Sequence, residues 1–405
     1  MAPEPTPTLA TTFAPGTKPT GIAGAPVIPA TPKMEDYPFL DKVPPTNSSL
    51  VKEWIAKINW DIVPNHSPTT GECDTSPEAA ADTSRCWWTC TGCVRETDIT
   101  ECPDKLTWGL SFDDGPSEYT PTLLNYLNDN DLTTTWFVVG SRVVTDPATL
   151  VAEYLTGHQI SIHTWSHPAL TSLTNEEIVA ELAWTAKAIK DTIGVTPNTF
   201  RPPYGDIDDR VRAIAAQMGL TPIMWTAYEG TTFDTTDWAI IGGKATGNSS
   251  LERFEQILDT YAPKLDTGFI VLEHDLYQQT VDLAYGYFLP LALKAGFKLM
   301  SVIDCLGKSL SEAYIETSAN MTTTLITSVP TGTFFQASVG PQATTAVTTT
   351  AANATATNGT VSGSVSGSAN PKATAVSNVN VKSGALRTGA SAALVLGAAA
   401  AAALL

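Results

Sequence analysis

Leu106-Thr-Trp-Gly-Leu-Ser-Phe-Asp-Asp-Gly-Pro116 reads as a short apolar strand, Leu106–Phe112, that runs into two adjacent carboxylates and a Gly-Pro turn. Downstream of it, strand and helix patterns alternate. Helical spacing of Leu123, Leu124 and Leu127 marks Thr120–Asn130, and the β-branched and aromatic run Thr133–Val139 marks a second strand. Asp146-Pro147, a cap followed by a first-turn proline, opens a helix over Pro147–Thr156. Gln159–His163 reads as a strand, and the capping box Thr174 to Glu177 leads into a helix over Ile178–Thr192. Further strands are expected at Asn198–Arg201, Thr221–Thr226, Phe269–Glu273 and Phe297–Ile303, with helices at Asp208–Met218, Ser250–Tyr261 and Leu283–Ala295. Strand–helix alternation repeated about seven times predicts an α/β protein with a mostly parallel sheet, and a distorted (β/α) barrel fits the count better than an open sheet. In a barrel of this kind functional groups belong at the carboxyl ends of the strands.

Five of the strand ends carry ionisable residues. They are Asp113-Asp114-Gly115-Pro116, His163-Thr-Trp-Ser-His167, Arg201-Pro-Pro-Tyr204-Gly205, a loop with Asp234 and Asp237-Trp238, and Glu273-His274-Asp275. Three of the chain's five histidines sit in these loops. His163 and His167, four residues apart, can meet on one face of a turn and bind one metal; Asp114 completes a His₂Asp set that leaves a coordination position open for water. Adjacent aspartates in a turn diverge, so Asp113 can face substrate while Asp114 faces a metal. Taken alone, Asp-Asp-Gly-Pro is an ordinary β-turn. His158 has no partner in this set and is expected to be structural. Asp206, Asp208 and Asp209 lack the register of a calcium loop and are expected to form a solvated helix start, while Trp87-Trp88 is expected to pack in the core and His66 lies in the same Cys-rich stretch.

The chain has 405 residues, enough for one enzyme-sized domain plus further segments. Its formal net charge is −18; the stretch from Ser318 onward holds only Lys372, Lys382 and Arg387, so the preceding 317 residues carry −21. Such a body argues against nucleic acid as partner, since phosphate binding needs basic surface. Residues 1–33 are Pro/Thr-rich and read as a flexible lead; residues 34–103 hold five of the six cysteines and read as a cross-linked cap on the domain at 104–312. The cysteines Cys73, Cys86, Cys90, Cys93, Cys102 and Cys305 are read as structural disulfides rather than zinc or redox sites, with all 15 pairings open. Asn47, Asn65, Asn248, Asn320, Asn353 and Asn358 are N-glycosylation candidates, in keeping with a secreted chain. No signal peptide is visible at Met1, and the start is read as truncated. Residues 318–385 read as a disordered, glycosylated Ser/Thr-rich stalk, and residues 386–405 as a hydrophobic GPI-attachment signal removed on maturation; small residues between Ser377 and Ala385 are the candidate attachment points.

The ordered set Ser111-Phe-Asp-Asp-Gly-Pro116, His163-Thr-Trp-Ser-His167, Arg201-Pro-Pro-Tyr-Gly205, Asp237-Trp238 and Leu272-Glu-His-Asp275 resembles the five motifs of the polysaccharide deacetylases, the NodB-homology domains of carbohydrate esterase family 4. They fall within about Leu106–Leu310, half of the chain, and the flanking segments look most like those of fungal GPI-anchored chitin deacetylases. The resemblance implies one divalent metal per chain, Zn²⁺ first and Co²⁺ second, on Asp114, His163 and His167. It implies Asp113 as general base, Arg201 as the residue that orients it, His274 as general acid, Asp237 as the residue that tunes the acid, and the Tyr204 backbone N–H as an oxyanion donor. Trp238 and Leu272 would line the slot for the acetyl methyl, with Tyr204 beside the substrate. Ser111 stands where the family more often has Thr, and Trp165 and Glu273 stand at variable positions. The expected reaction is hydrolysis of N-acetyl groups of chitin or its oligomers by a monomer held at the cell membrane or wall by a lipid anchor. Two rivals remain: an O-acetyl polysaccharide esterase of the acetylxylan type, and a non-catalytic wall-binding protein.

Overall fold

The computed structural model describes residues 7–318 and the two-residue strand Ala337–Ser338. Seven parallel strands form its core sheet: β1 Thr107–Asp113, β2 Thr135–Val138, β3 Gln159–Ile162, β4 Thr199–Phe200, β5 Thr221–Pro222, β6 Phe269–Ile270 and β7 Lys298–Ser301. β1 organises the sheet. Its first half pairs with β7 on one edge and β6 on the other; its second half pairs with β2, and the order continues through β3 and β4 to β5. The ring returns towards β6 where the Thr226 N–H donates to Ile270 O at 3.1 Å, while Ile99 pairs alongside Ile223 beyond β5. This is the distorted barrel that the alternation predicts. All seven residues of β1 are buried, as a strand covered on both faces requires.

The pairing register explains why the strand-end residues meet. Asp113 is level with Phe137, and Val138 is level with Ile162, which in turn pairs with Phe200. His163 and Arg201 follow those paired residues directly, and the Asp113–His274 bridge closes the other edge. β4, β5 and β6 are shorter than the runs Asn198–Arg201, Thr221–Thr226 and Phe269–Glu273 predict. Pro202 and Pro203 have no N–H to donate to a ladder, and beyond Pro222 the Met224 N–H donates to Ile99 O instead.

The helices start where the capping residues place them. Asp146 Oδ1 accepts from the Thr149 N–H, Thr174 and Glu177 form the capping box of Asn175–Ile193, and Gly194 ends that helix at φ 86°. Two expected helices are interrupted by π turns. Gly247–Gln256 passes into a π turn at Ile257–Tyr261, and Gln278–Leu283 into one at Ala284–Phe288 before Leu289–Lys294. Each π turn lies just before a proline, Pro263 or Pro290, whose ring and missing N–H disrupt regular α pairing.

The described part of the lead packs against the barrel. Ile22, Ala25 and Ile28 are buried against the barrel, and Thr8 and Ala10 exchange hydrogen bonds with the Asn125 amide. Its apolar residues are spaced irregularly among prolines, so no periodicity announces this packing. The three disulfides are Cys73–Cys90, Cys86–Cys93 and Cys102–Cys305. The first two close the cap on itself; the third joins the segment before β1 to the end of the barrel.

Asp206, Asp208 and Asp209 correct the expectation of a solvated helix start: all three are buried. Asp206 accepts from Trp87 Nε1 at 2.6 Å, from Thr89 Oγ1 at 2.8 Å, and from the Thr171 N–H and Oγ1 at 2.8 and 2.7 Å. Asp208 pairs with Arg85 at 2.8 Å, and Asp209 with Arg95 at 2.5 Å. Apart from Thr171, the partners named lie more than 100 residues away in the cap, so nothing local could reveal them. Arg212 completes the junction, donating to Asp98 at 2.9–3.0 Å and to the Cys86 and Cys93 carbonyls at 2.8 and 3.2 Å. Arg212→Met would leave Asp98 in the interior without its guanidinium partner. It is expected to cost on the order of 3–5 kcal/mol, read as a lower denaturation midpoint with disulfides intact. An unchanged midpoint would show that the junction contributes little. Trp87 is buried as expected, Trp88 packs edge-on against Trp225 at 4.6 Å, and buried His158 accepts from the Thr134 N–H through Nδ1. His66 lies beside Asp82 at the cap surface. Asn47, Asn65 and Asn248 are exposed; Asn320, Asn353, Asn358, the stalk and the attachment signal lie outside the described residues. No helix among the described residues is long and apolar enough to cross a membrane.

Candidate active site

At the carboxyl end of β1 the chain turns sharply. Asp114 takes φ 83°, and Gly115 packs so closely on the Asp275 carboxylate that a Cβ there would lie 2.3 Å from Oδ2. Only glycine fits, which explains the Asp-Asp-Gly-Pro spelling. The turn separates the two aspartates. Asp113 points to Arg201, whose Nη1 donates to Oδ1 at 2.6 Å; Asp114 points to the histidines, with His167 Nε2 at 3.1 Å and His163 Nε2 at 3.5 Å from its Oδ1.

These three side chains offer donor atoms within 4.8 Å of one another. Asp114 Oδ1 is buried and takes no hydrogen bond among the described residues. His163 Nδ1 lies 2.8 Å from Arg201 O; a carbonyl only accepts, so Nδ1 carries the proton and the Nε2 lone pair faces Asp114. Burial holds His163 well below the ordinary imidazole value, which keeps it neutral. An orphaned carboxylate oxygen and two imidazoles, one with its tautomer fixed, suit a divalent cation.

Arg201 is fully buried, and its remaining donors reach Ser111 Oγ, Ile223 O and Met224 O. Burial pushes the Asp113 carboxyl up to about 6, and the Arg201 and His274 charges hold it from rising further. Across the site His274 Nδ1 lies 2.7 Å from Asp237 Oδ1, and its backbone N–H donates to Oδ2 at 2.9 Å. Burial opposes a charge on His274, but Asp237, Asp114 and Asp113 outweigh it and push the imidazole up to about 10. A carboxylate and an imidazolium, on residues joined by a backbone bridge, thus flank the donor set.

Tyr204 and Trp238 stand at the rim, 64% and 48% exposed. The Tyr204 ring meets His167 edge-on at 4.7 Å on a left-handed backbone of φ 60°, and Leu272 is buried beside the Asp234 loop. Every catalytic, metal and substrate residue named from the sequence therefore lies at this one end of the barrel. Arg142 was missed: its Nη1 donates to Asp114 O at 2.6 Å. It follows β2, the strand end with no acidic or histidine residue to draw attention. Glu181, which holds the His163–His167 turn, was missed because it sits within a helix whose pattern shows no chemistry.

The strand ends of this barrel converge on a buried carboxylate held by an arginine, an imidazole held by a carboxylate, and an Asp/His/His donor set suited to a divalent cation. The polysaccharide deacetylase family matches residues 100–223. Chitin deacetylase 1 of Cryptococcus neoformans var. grubii is 66% identical over 341 residues, 82% of this chain and 72% of that protein. Chitin deacetylase 3 of Cryptococcus neoformans var. neoformans is 34% identical over 326 residues, 76% of this chain and 77% of that protein. The solved chitin deacetylase of Colletotrichum lindemuthianum is 26% identical, with a TM-score of 0.49, over 55% of this chain and 96% of that one. The chain belongs to the polysaccharide deacetylase family.

Proposed function

We propose that the protein hydrolyses N-acetyl groups of N-acetylglucosamine residues in chitin, releasing acetate and leaving free amines, with zinc as its metal. The observation that carries the reading is the two held groups, Asp113 by Arg201 and His274 by Asp237, at the same barrel end as the Asp114–His163–His167 donors. The relatives named chitin deacetylase support the choice of polymer. When bound, the cation would polarise the acetyl carbonyl and acidify water. Asp113 takes the proton of the attacking water, and Arg201 keeps that carboxylate ionised and aimed. The Tyr204 N–H donates to the oxygen that gains charge as the hydroxyl adds to the carbonyl carbon. His274 gives its proton to the nitrogen as the C–N bond breaks. Trp238 and Leu272 hold the acetyl methyl.

The same reading places the enzyme outside the cell as a monomer. A lipid anchor would hold it at the membrane or wall, and cobalt is a possible substitute for zinc. The disulfides, the Asn-x-Ser/Thr sites and the apolar terminal segment support export and anchoring.

Acetate release from a chitin oligomer series and from acetylated xylan, with and without chelator, tests the reaction. Chitin oligomers should release acetate, chelator should stop it, and Zn²⁺ should restore it. Faster release from xylan would favour the esterase, and sugar binding that persists in chelator without any release would favour a wall-binding protein.

A further inference from the structure

Only Thr164, Trp165 and Ser166 separate the two histidine donors. Within the turn, Thr164 and His167 hold left-handed φ values of 66° and 61°. β-branched Thr avoids that region, and such a conformation persists only where the surroundings over-determine it. The carbonyl side of the turn is held by β2's continuation, through the Gly140 N–H to Thr164 O at 2.9 Å and the Ser141 N–H to Trp165 O at 3.1 Å. Within the turn the His167 N–H donates to Thr164 Oγ1 at 3.1 Å. The amide side is held by a single group, the Glu181 carboxylate on Asn175–Ile193. Its Oε2 accepts the Trp165 N–H at 2.7 Å and the Ser166 N–H at 2.9 Å, and its Oε1 accepts the Ser166 hydroxyl at 2.6 Å.

Glu181 is completely buried and pairs with no cation among the described residues. An interior carboxylate without a countercharge costs stability, so its presence calls for a reason other than packing. Its three bonds all fall on the residues between the metal donors. We propose that Glu181 is a positioning residue of the metal site: by clamping Trp165 and Ser166 it fixes the strained turn in which both Nε2 atoms converge on Asp114, and so sets metal affinity. This rests on the divalent-metal reading of Asp114, His163 and His167.

The side-chain chemistry makes the clamp separable from charge. In Glu181→Gln the amide oxygen can still accept both backbone N–H groups, and its NH₂ can donate to Ser166 Oγ, which rotates to accept. Glu181→Leu has similar volume and no acceptor. Zn²⁺ affinity, measured by competition with a chromophoric chelator, is expected to fall about 10–100-fold in Glu181→Leu, the range for losing a group that orients a ligand. Glu181→Gln should stay within about threefold of wild type by this bond count. Ser166→Ala, which loses one bond of three and keeps the buried backbone satisfied, should weaken Zn²⁺ by an intermediate factor.

Unfolding of the metal-free proteins in urea is measured alongside. A Glu181→Leu protein with lower metal-free stability but unchanged Zn²⁺ affinity would make the carboxylate merely structural and overturn the proposal. A Glu181→Gln protein as weak as Glu181→Leu would overturn it too, because charge rather than bonding would then be at work. Should Glu181→Leu not fold, wild-type affinity in Ser166→Ala overturns it. A wild-type chain that binds no Zn²⁺ would remove the metal reading itself, whereas tight wild-type binding with unaltered variants removes only the role of Glu181.

Discussion

His163→Ala and His167→Ala are each expected to lose the metal and, with it, nearly all acetate release. The donor set has three protein ligands, the number at which a catalytic site keeps an open position, so deleting one leaves too few to hold the ion. Metal content should fall from about one per chain towards zero. Several kcal/mol of transition-state stabilisation go with the ion, and at about 1.4 kcal/mol per decade that is roughly 10³-fold or more in rate. The two variants should differ in stability. His163 is buried and bonded to Arg201 O, so its removal opens a cavity and frees the carbonyl that aligns the neighbouring strand end. His167 is partly exposed, and His167→Ala should unfold at nearly the midpoint of the metal-free wild type. Elemental analysis of the dialysed variants decides: full occupancy in both would remove the site from these residues.

The strand ends were legible because a barrel gathers them. Once strands are ordered in sequence and paired in register, Asp113, His163, Arg201 and His274 have no choice but to meet. Helix starts were legible for a local reason too, since Thr174, Asp146 and Asp208 each satisfy an N–H three residues ahead. What stayed hidden was long-range. Asp206 and Asp209 read as surface residues because charge in sequence says nothing of an indole or a guanidinium more than 100 positions earlier. Glu181 read as one polar residue of a helix, and only the fold shows that its face meets the His163–His167 turn. The packing of the lead stayed hidden for the converse reason. Proline-rich composition argues against regular structure, but Ile22 and Ile28 still bury without it.

Amide hydrolysis needs two proton movements, and the proposed mechanism divides them between Asp113 and His274. Asp113 must be ionised while His274 is protonated, so activity is expected to be bell-shaped in pH. Burial sets Asp113 at about 6, and a cation on Asp114, His163 and His167 would lower it, placing the acidic limb at or below about pH 6. His274 is protonated below about 10, and the same cation would lower that value as well, so the alkaline limb falls at or below about pH 10. Asp237→Asn removes the carboxylate that opposes burial of the imidazole, and the alkaline limb should move down by about two pH units or more. Asp113→Asn should keep the metal and lose on the order of 10²–10⁴-fold in rate, the range for a positioned acid–base group. His274→Ala should also keep the metal, since His274 is not among the donors. Its loss should be large for an N-acetyl amide, whose nitrogen cannot leave without a proton. It should be small for an activated aryl acetate, whose phenolate leaves unaided. Equal losses on both substrates would mean that His274 is not the acid, and that its charge instead stabilises the oxygen of the adding hydroxyl or holds the sugar.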